Sequence, residues 1–247
     1  MFGLYEARKA FGSSGKFPIS AHVCSAIPVA GLDKIATVRV MMGLLWARDS
    51  LPASPGTRVY SIGLADLRCA AGFGDSGPYR QVVQGLDAAA NAEMMTDDGG
   101  VFSIFNGISV TDDEIGRFVS FRTSEAFDYY QDRLSADGYG MVDMDEVVRL
   151  VRSVDLSIYL RACAVRKRRK KAFSLSRAEI YCLSNRDPGE PISGAVRAIR
   201  TAAERVGKIL KTNVSVSSID GRGRERVRGL TFELDASEEV QIDLAAA

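Results

Sequence analysis

The chain has a single histidine, His22, and a single tryptophan, and it has no apolar run near the ~18 residues of a membrane span. One histidine excludes two-histidine metal motifs within the chain, including the His-hydrophobic-His site of DNA-nicking endonucleases. A Ser-His-Asp arrangement would have to use His22, and no GxSxG sequence accompanies it. No GxxxxGK[ST] loop is present, which removes nucleotide hydrolysis of that type. Cys24, Cys69, Cys163 and Cys182 are widely spaced with no CxxC pair, so they predict reduced core residues of a cytoplasmic protein rather than a zinc site. Met1 to Lys16 lacks the basic-then-apolar pattern of a leader. The GxGxxG match Gly72–Gly77 joins two expected helices instead of following a strand, and reads as a turn. No catalytic residue, cofactor or metal is expected.

What the chain does have is badly mixed charge. Residues 1–155 carry 14 Lys/Arg against 20 Asp/Glu, a net of −6. Residues 156–232 carry 18 against 6, a net of +12, and residues 233–247 add −5. The near-neutral total of +1 therefore hides a strongly basic module. Such a field on one folded unit suits a polyanion, because neutralising phosphates releases condensed counterions. Hydrophobic content of 46% allows a core in either half of the 247 residues, as one large domain or two small ones.

Residues 1–31, punctuated by Gly and Pro, predict an N-terminal arm with one short helix or strand. Asp33 is placed to cap a helix carrying Ile35, Val38, Met42 and Leu45. A short strand at Arg58–Ile62, a helix Leu64–Ala71 and a helix opened by Pro78 follow. A hairpin of Val101–Val110 with Arg117–Arg122 closes this unit, residues 32–123. Connecting helices are expected over 124–152, Ser124–Leu134 and one opened by Asp143 with Glu146 three residues on.

The order then returns over 153–234. A helix Asp155–Val165 precedes a short strand Ala172–Ser174, and Ser174 or Ser176 starts a helix Arg177–Leu183. Pro191 opens a long helix to Leu210, and Asn213–Ile219 with Arg226–Leu234 form a second hairpin. Residues 235–247 are an acidic tail. The fold class expected is α+β, two tandem winged-helix domains, each a helix-turn-helix plus a β-hairpin.

In the long helix Ile192, Val196, Ile199, Ala203, Val206 and Leu210 form one apolar face. Arg197, Thr201, Arg205, Lys208 and Lys211 fall roughly opposite, with Arg200 on the flank. That is the pattern of a recognition helix, since Arg to guanine is the commonest specific major-groove contact. In an extended hairpin Arg222, Arg224, Arg226 and Arg228 point the same way, suiting phosphates or the minor groove. Arg166, Lys167, Arg168, Arg169, Lys170 and Lys171 form an unbroken basic run at a helix end. In the first unit Arg80, Gln81 and Gln84 are left outward, where Gln can read adenine, but the surrounding charge is acidic. Its apolar segment Val101–Phe105 predicts an edge for pairing with a second subunit.

Over residues 32–234 the chain resembles the iteron-binding initiator proteins of theta-replicating plasmids. The resemblance rests on element order and on three segments. Tyr60-Ser61-Ile62-Gly63-Leu64-Ala65-Asp66-Leu67 precedes Tyr79, Val83 and Leu86. Ser153 to Arg161 is similar to the Ser-x-Tyr-Ser-x-Arg-Leu-Tyr-Glu stretch between that family's domains, with Asp155 and Ile158 replacing the usual aromatic and arginine. Helix 195–210 followed by Lys211–Val214 and Gly229–Phe232 resembles its C-terminal recognition unit. The resemblance implies binding of both domains to repeated origin sequences in double-stranded DNA, the C-terminal one dominating. It implies a homodimer, formed through the first domain and in equilibrium with monomer, that represses its own promoter. It also implies origin melting and recruitment of a host initiator and helicase, without catalysis, cofactor or membrane. Two other readings suit the same residues, a winged-helix transcription regulator without origin function and a non-catalytic interaction scaffold.

Overall fold

The computed structural model describes residues 15–54, 56–74, 79–96, 98–114, 116–134, 138–166, 171–220 and 227–235. Among the described residues the fold is α+β, with helices of up to 19 residues and four small antiparallel sheets. In chain order the first part contains β1 (Lys16–Ser20), α1 (Ala21–Ser25), β2 (Ile27–Ala30), α2 (Ile35–Ser50), β3 (Tyr60–Gly63), α3 (Leu64–Ala70) and α4 (Tyr79–Ala90). Next come β4 (Glu93–Met95), β5 (Val101–Ser103), β6 (Phe105–Asp113), β7 (Gly116–Thr123), α5 (Glu125–Gln131), β8 (Tyr139–Asp143) and α6 (Met144–Val147). The last part is α7 (Ser153–Val165), β9 (Ala172–Ser176), α8 (Arg177–Ser184), α9 (Ile192–Leu210), β10 (Val214–Asp220) and β11 (Val227–Leu234).

Residues 16–30, expected within an arm, are instead wound into the core. Strand β1 pairs antiparallel with β8, Phe17 opposite Val142, and both side chains are buried. Ser20 caps α1 by accepting from the Val23 N–H at 3.2 Å, and Val23 and Cys24 are buried beneath. The expected second connecting helix, Asp143 to Val151, is cut short at its C-terminal end to α6, and the residues before it, Tyr139–Asp143, pair with β1. Asp143 still caps α6, its carboxylate accepting from Asp145 N–H at 2.9 Å. Lys34, not Asp33, stands at the cap of α2, without a side-chain bond. Cys24 and Cys163 are core residues as expected, whereas Cys69 and Cys182 are exposed.

One continuous apolar core runs through both halves, and α7 crosses its middle. Every residue from Asp155 to Val165 is buried. A helix apolar on all sides is one surrounded by protein. Its single buried arginine, Arg161, ties the halves together: it pairs with Glu179 at 2.8 Å and donates to the carbonyls of Ser25 and Ser174.

The two halves repeat one plan. In the first, α2, β3, α3 and α4 lead to the β6–β7 hairpin, and the sheet order is β3-β7-β6. In the second, α7, β9, α8 and α9 lead to the β10–β11 hairpin, with the corresponding order β9-β11-β10. Ser176 rather than Ser174 starts α8, through a reciprocal capping box with Glu179 (3.3 and 2.7 Å). The first hairpin departs from expectation. Val101–Ser103 joins β4 and β2 in a separate sheet, and the chain bends at Ile104 before β6 begins. Phe102, Ile104 and Phe105 are thereby buried in the chain's own core, so most of the apolar segment expected to meet a second subunit is already covered.

Candidate nucleic-acid interface

Helix α9 is held by one face. Ala195, Ile199, Ala202, Ala203, Val206, Ile209 and Leu210 are buried, and Ile192 and Val196 pack at the core's rim. The opposite face is open: Arg197, Arg200, Thr201, Glu204, Lys208 and Lys211 are all exposed. At 100° per residue these six fall within about 100° of arc. The face is fixed at both ends. Pro191 precedes the first turn, and Lys211 ends the helix in the left-handed region at φ 54°. Thr212 N–H then bonds back to Gly207 O at 3.0 Å. A side chain on Gly207 would meet Thr212 O at 2.8 Å, so the tight close requires glycine there.

Arg200 and Thr201 are tethered. Arg200 Nη2 donates to Ser218 Oγ on β10 at 3.2 Å, and Thr201 Oγ1 donates to the Arg197 carbonyl at 3.0 Å. The first bond couples the helix face to the neighbouring hairpin. Arg205, expected with the outward set, turns inward instead. Its Nε lies 3.2 and 3.1 Å from the two Asp155 oxygens, and its Nη2 lies 2.5 Å from Oδ1. Asp155 is fully buried and also accepts from the Val151 and Arg152 N–H groups at 3.1 and 3.0 Å. Arg205 sits on the flank of the helix, where a buried carboxylate claims its guanidinium before a nucleic acid can.

The hairpin stands beside this face. Val214, Val216, Leu230, Phe232 and Leu234 anchor it, and Phe173 of β9 stacks on Phe232 with centroids 4.6 Å apart. Arg228 is exposed and lies past the last β9 pairing at Gly229–Ser176, at a register shift where Ile219 pairs with Gly229 but Asp220 with Val227. Arg222, Arg224 and Arg226 lie outside the described residues, as do Lys167, Arg168, Arg169 and Lys170. Arg166 is exposed and 3.5 Å from Glu146, while Lys171 is half-buried and its carbonyl accepts from Leu234 N–H.

In the first half Arg80, Gln81 and Gln84 are exposed on α4, with Tyr79 stacked on Arg68 at 4.6 Å. The adjoining β6–β7 hairpin carries Asp112 paired to Arg117 at 2.8 Å, with exposed Glu114 at its tip. That acidic hairpin disfavours phosphate. Sequence reasoning passed over Asp155 as a partner, Ser218 as a tether and Glu204 altogether. The outward heptad-like spacing of Glu204 with Arg197 and Lys211 was the available signal.

No family model matches the chain, and no curated protein matches it in sequence. Solved structures do match. The crystal structure of the Pi initiator protein in complex with iteron DNA superposes with a TM-score of 0.66 at 19% identity, covering 92% of this chain and 99% of that one. The chain shares the fold of the Pi initiator. Domains 2 and 3 of RctB match more loosely, with a TM-score of 0.45 at 13% identity over 82% of this chain and 81% of that one. The match to the Pi initiator spans nearly the whole of both chains. Among the described residues no group of three or more His, Cys, Asp or Glu is gathered to hold a metal, and no helix is long and apolar enough to cross a membrane.

Proposed function

We propose that this protein is a sequence-specific double-stranded DNA binder that initiates plasmid replication at repeated origin sites. Its two repeated units are read as winged-helix domains, residues 32–123 and 153–234, joined by 124–152. Helix α9 enters the major groove, and the β10–β11 hairpin is the wing that follows phosphates. The observation that carries this is the rigidly backed, outward basic face of α9 beside that hairpin. The shared fold with an initiator solved on iteron DNA supports it. The Arg166–Lys171 run and the arginines 222, 224, 226 and 228 are assigned further phosphate contacts on their charge. Arg80, Gln81 and Gln84 make a weaker second contact from α4, set against an acidic hairpin.

Binding, not catalysis, is the mode of action. Origin melting, recruitment of a host initiator and helicase, and autorepression by a dimer are parts of the same proposal. Footprinting of the purified protein on the DNA flanking its own gene, at two salt concentrations, tests it. Regularly spaced protection over direct repeats is the expected result. One inverted site would instead indicate a transcription regulator, and no binding would indicate an interaction scaffold.

A further inference from the structure

Glu204 lies in the middle of the cationic face of α9. Thr201 is one turn before it, Arg200 and Lys208 are four residues to either side, and Arg197 and Lys211 are seven away. A glutamate four residues ahead of a lysine is the favoured order for a helix ion pair. Even so, among the described residues the Glu204 carboxylate has no ion-pair or hydrogen-bond partner; Arg200 goes to Ser218 instead. An unpaired carboxylate turned toward a polyanion weakens binding by repulsion unless a donor on the target receives it.

The major groove offers few such donors. Guanine presents only acceptors there and thymine an acceptor and a methyl, whereas cytosine presents its N4 amino group. Adenine has an N6 amino group but sets the N7 acceptor beside it, which repels a carboxylate. We infer that Glu204 reads one cytosine in the recognised sequence, at the centre of the site, with its flanking cations taking neighbouring guanines. This rests on α9 being the recognition helix. Glu204 gives up pairing with Lys208 so that its carboxylate is free for the base, and the repulsion it creates elsewhere penalises wrong sequences.

The test is selection of binding sites from a random duplex pool by the purified full chain, its Glu204→Ala and Glu204→Gln variants, and Arg197→Ala. Thermal unfolding shows whether the variants fold; Glu204 is exposed, and unchanged midpoints are expected. Wild type should enrich a motif with a cytosine that Glu204→Ala loses, about tenfold in preference at that position alone. Glu204→Gln should shift the same position toward adenine. If both Glu204 variants keep every position while Arg197→Ala loses one, this inference fails and the recognition-helix reading stands. If wild type enriches no motif, both fail.

Discussion

Arg205 on α9 and Asp155 on α7 are fastened by a two-nitrogen pair, with the shortest contact 2.5 Å and the carboxylate fully buried. The pair fixes the long helix to the first turn of the buried one, because Asp155 also holds the Val151 and Arg152 N–H groups. The exposed face of α9 is thus oriented by a charge pair on its flank.

Arg205→Ala should therefore act on stability before it acts on binding. It strands a buried carboxylate, a change that costs about 3–5 kcal/mol where the remaining charge has no other partner. The two N–H groups already on Asp155 put the expected loss near the lower end. Urea unfolding measures it directly. Unchanged stability with lost DNA affinity would return Arg205 to the binding surface.

The hairpin arginines predict a different signature. If Arg224 and Arg228 each neutralise one phosphate, replacing both with alanine flattens the plot of log affinity against log salt by about 2 units. Affinity should fall evenly on all sequences. A loss confined to one base position would contradict a phosphate role.

Acid sensitivity should report the Arg161–Glu179 junction. Burial pushes the Glu179 carboxyl up, but Arg161 and the Ser176 N–H outweigh it and hold it below its ordinary 4.5. A carboxyl lowered on folding stabilises the protein above its unfolded pKa, and that stabilisation is lost as pH falls through the lowered value. Wild type should lose stability from about pH 4.5 downward, and Glu179→Gln should lose less over that range while starting from a less stable state at pH 7. Parallel slopes for the two proteins would remove Glu179 from the account.

Thiol reactivity separates the four cysteines. Cys69 and Cys182 are exposed and Cys24 and Cys163 are buried, and burial drives the Cys163 thiol up to about 12. An alkylating reagent at pH 8 should modify Cys69 fastest. Cys182 should follow more slowly, because burial raises its thiol too, and the other two should react only on unfolding. Rapid labelling of Cys163 in the folded protein would contradict the central placement of α7.

Much of the second half was legible because its signals are local. Pro191 and the three-and-four spacing from Ile192 to Leu210 each mark an element without help from distant residues. The misreadings came from long-range pairing. Nothing near Phe17 announces Val142 as its neighbour, so β1 reads as part of an arm and β8 falls unread between two expected helices. The bend at Ile104 contains no turn residue; it arises because Ile104 N–H bonds to Ala92 O while its carbonyl accepts from Ser124. Arg205 was misplaced for a related reason. Helical spacing groups it with the outward set, and only the fold brings a buried aspartate from 50 positions away to meet it.

The central claim is that the exposed face of α9 distinguishes base pairs. Its most direct test is the ratio of specific to non-specific DNA affinity for wild type and Arg197→Ala, measured by fluorescence anisotropy at one salt concentration. Arg197 is exposed and backs no core residue, so the variant should fold normally. The account predicts a ratio reduced by about 1–3 kcal/mol, roughly tenfold or more, with non-specific affinity little changed. An unchanged ratio would move base recognition off this helix.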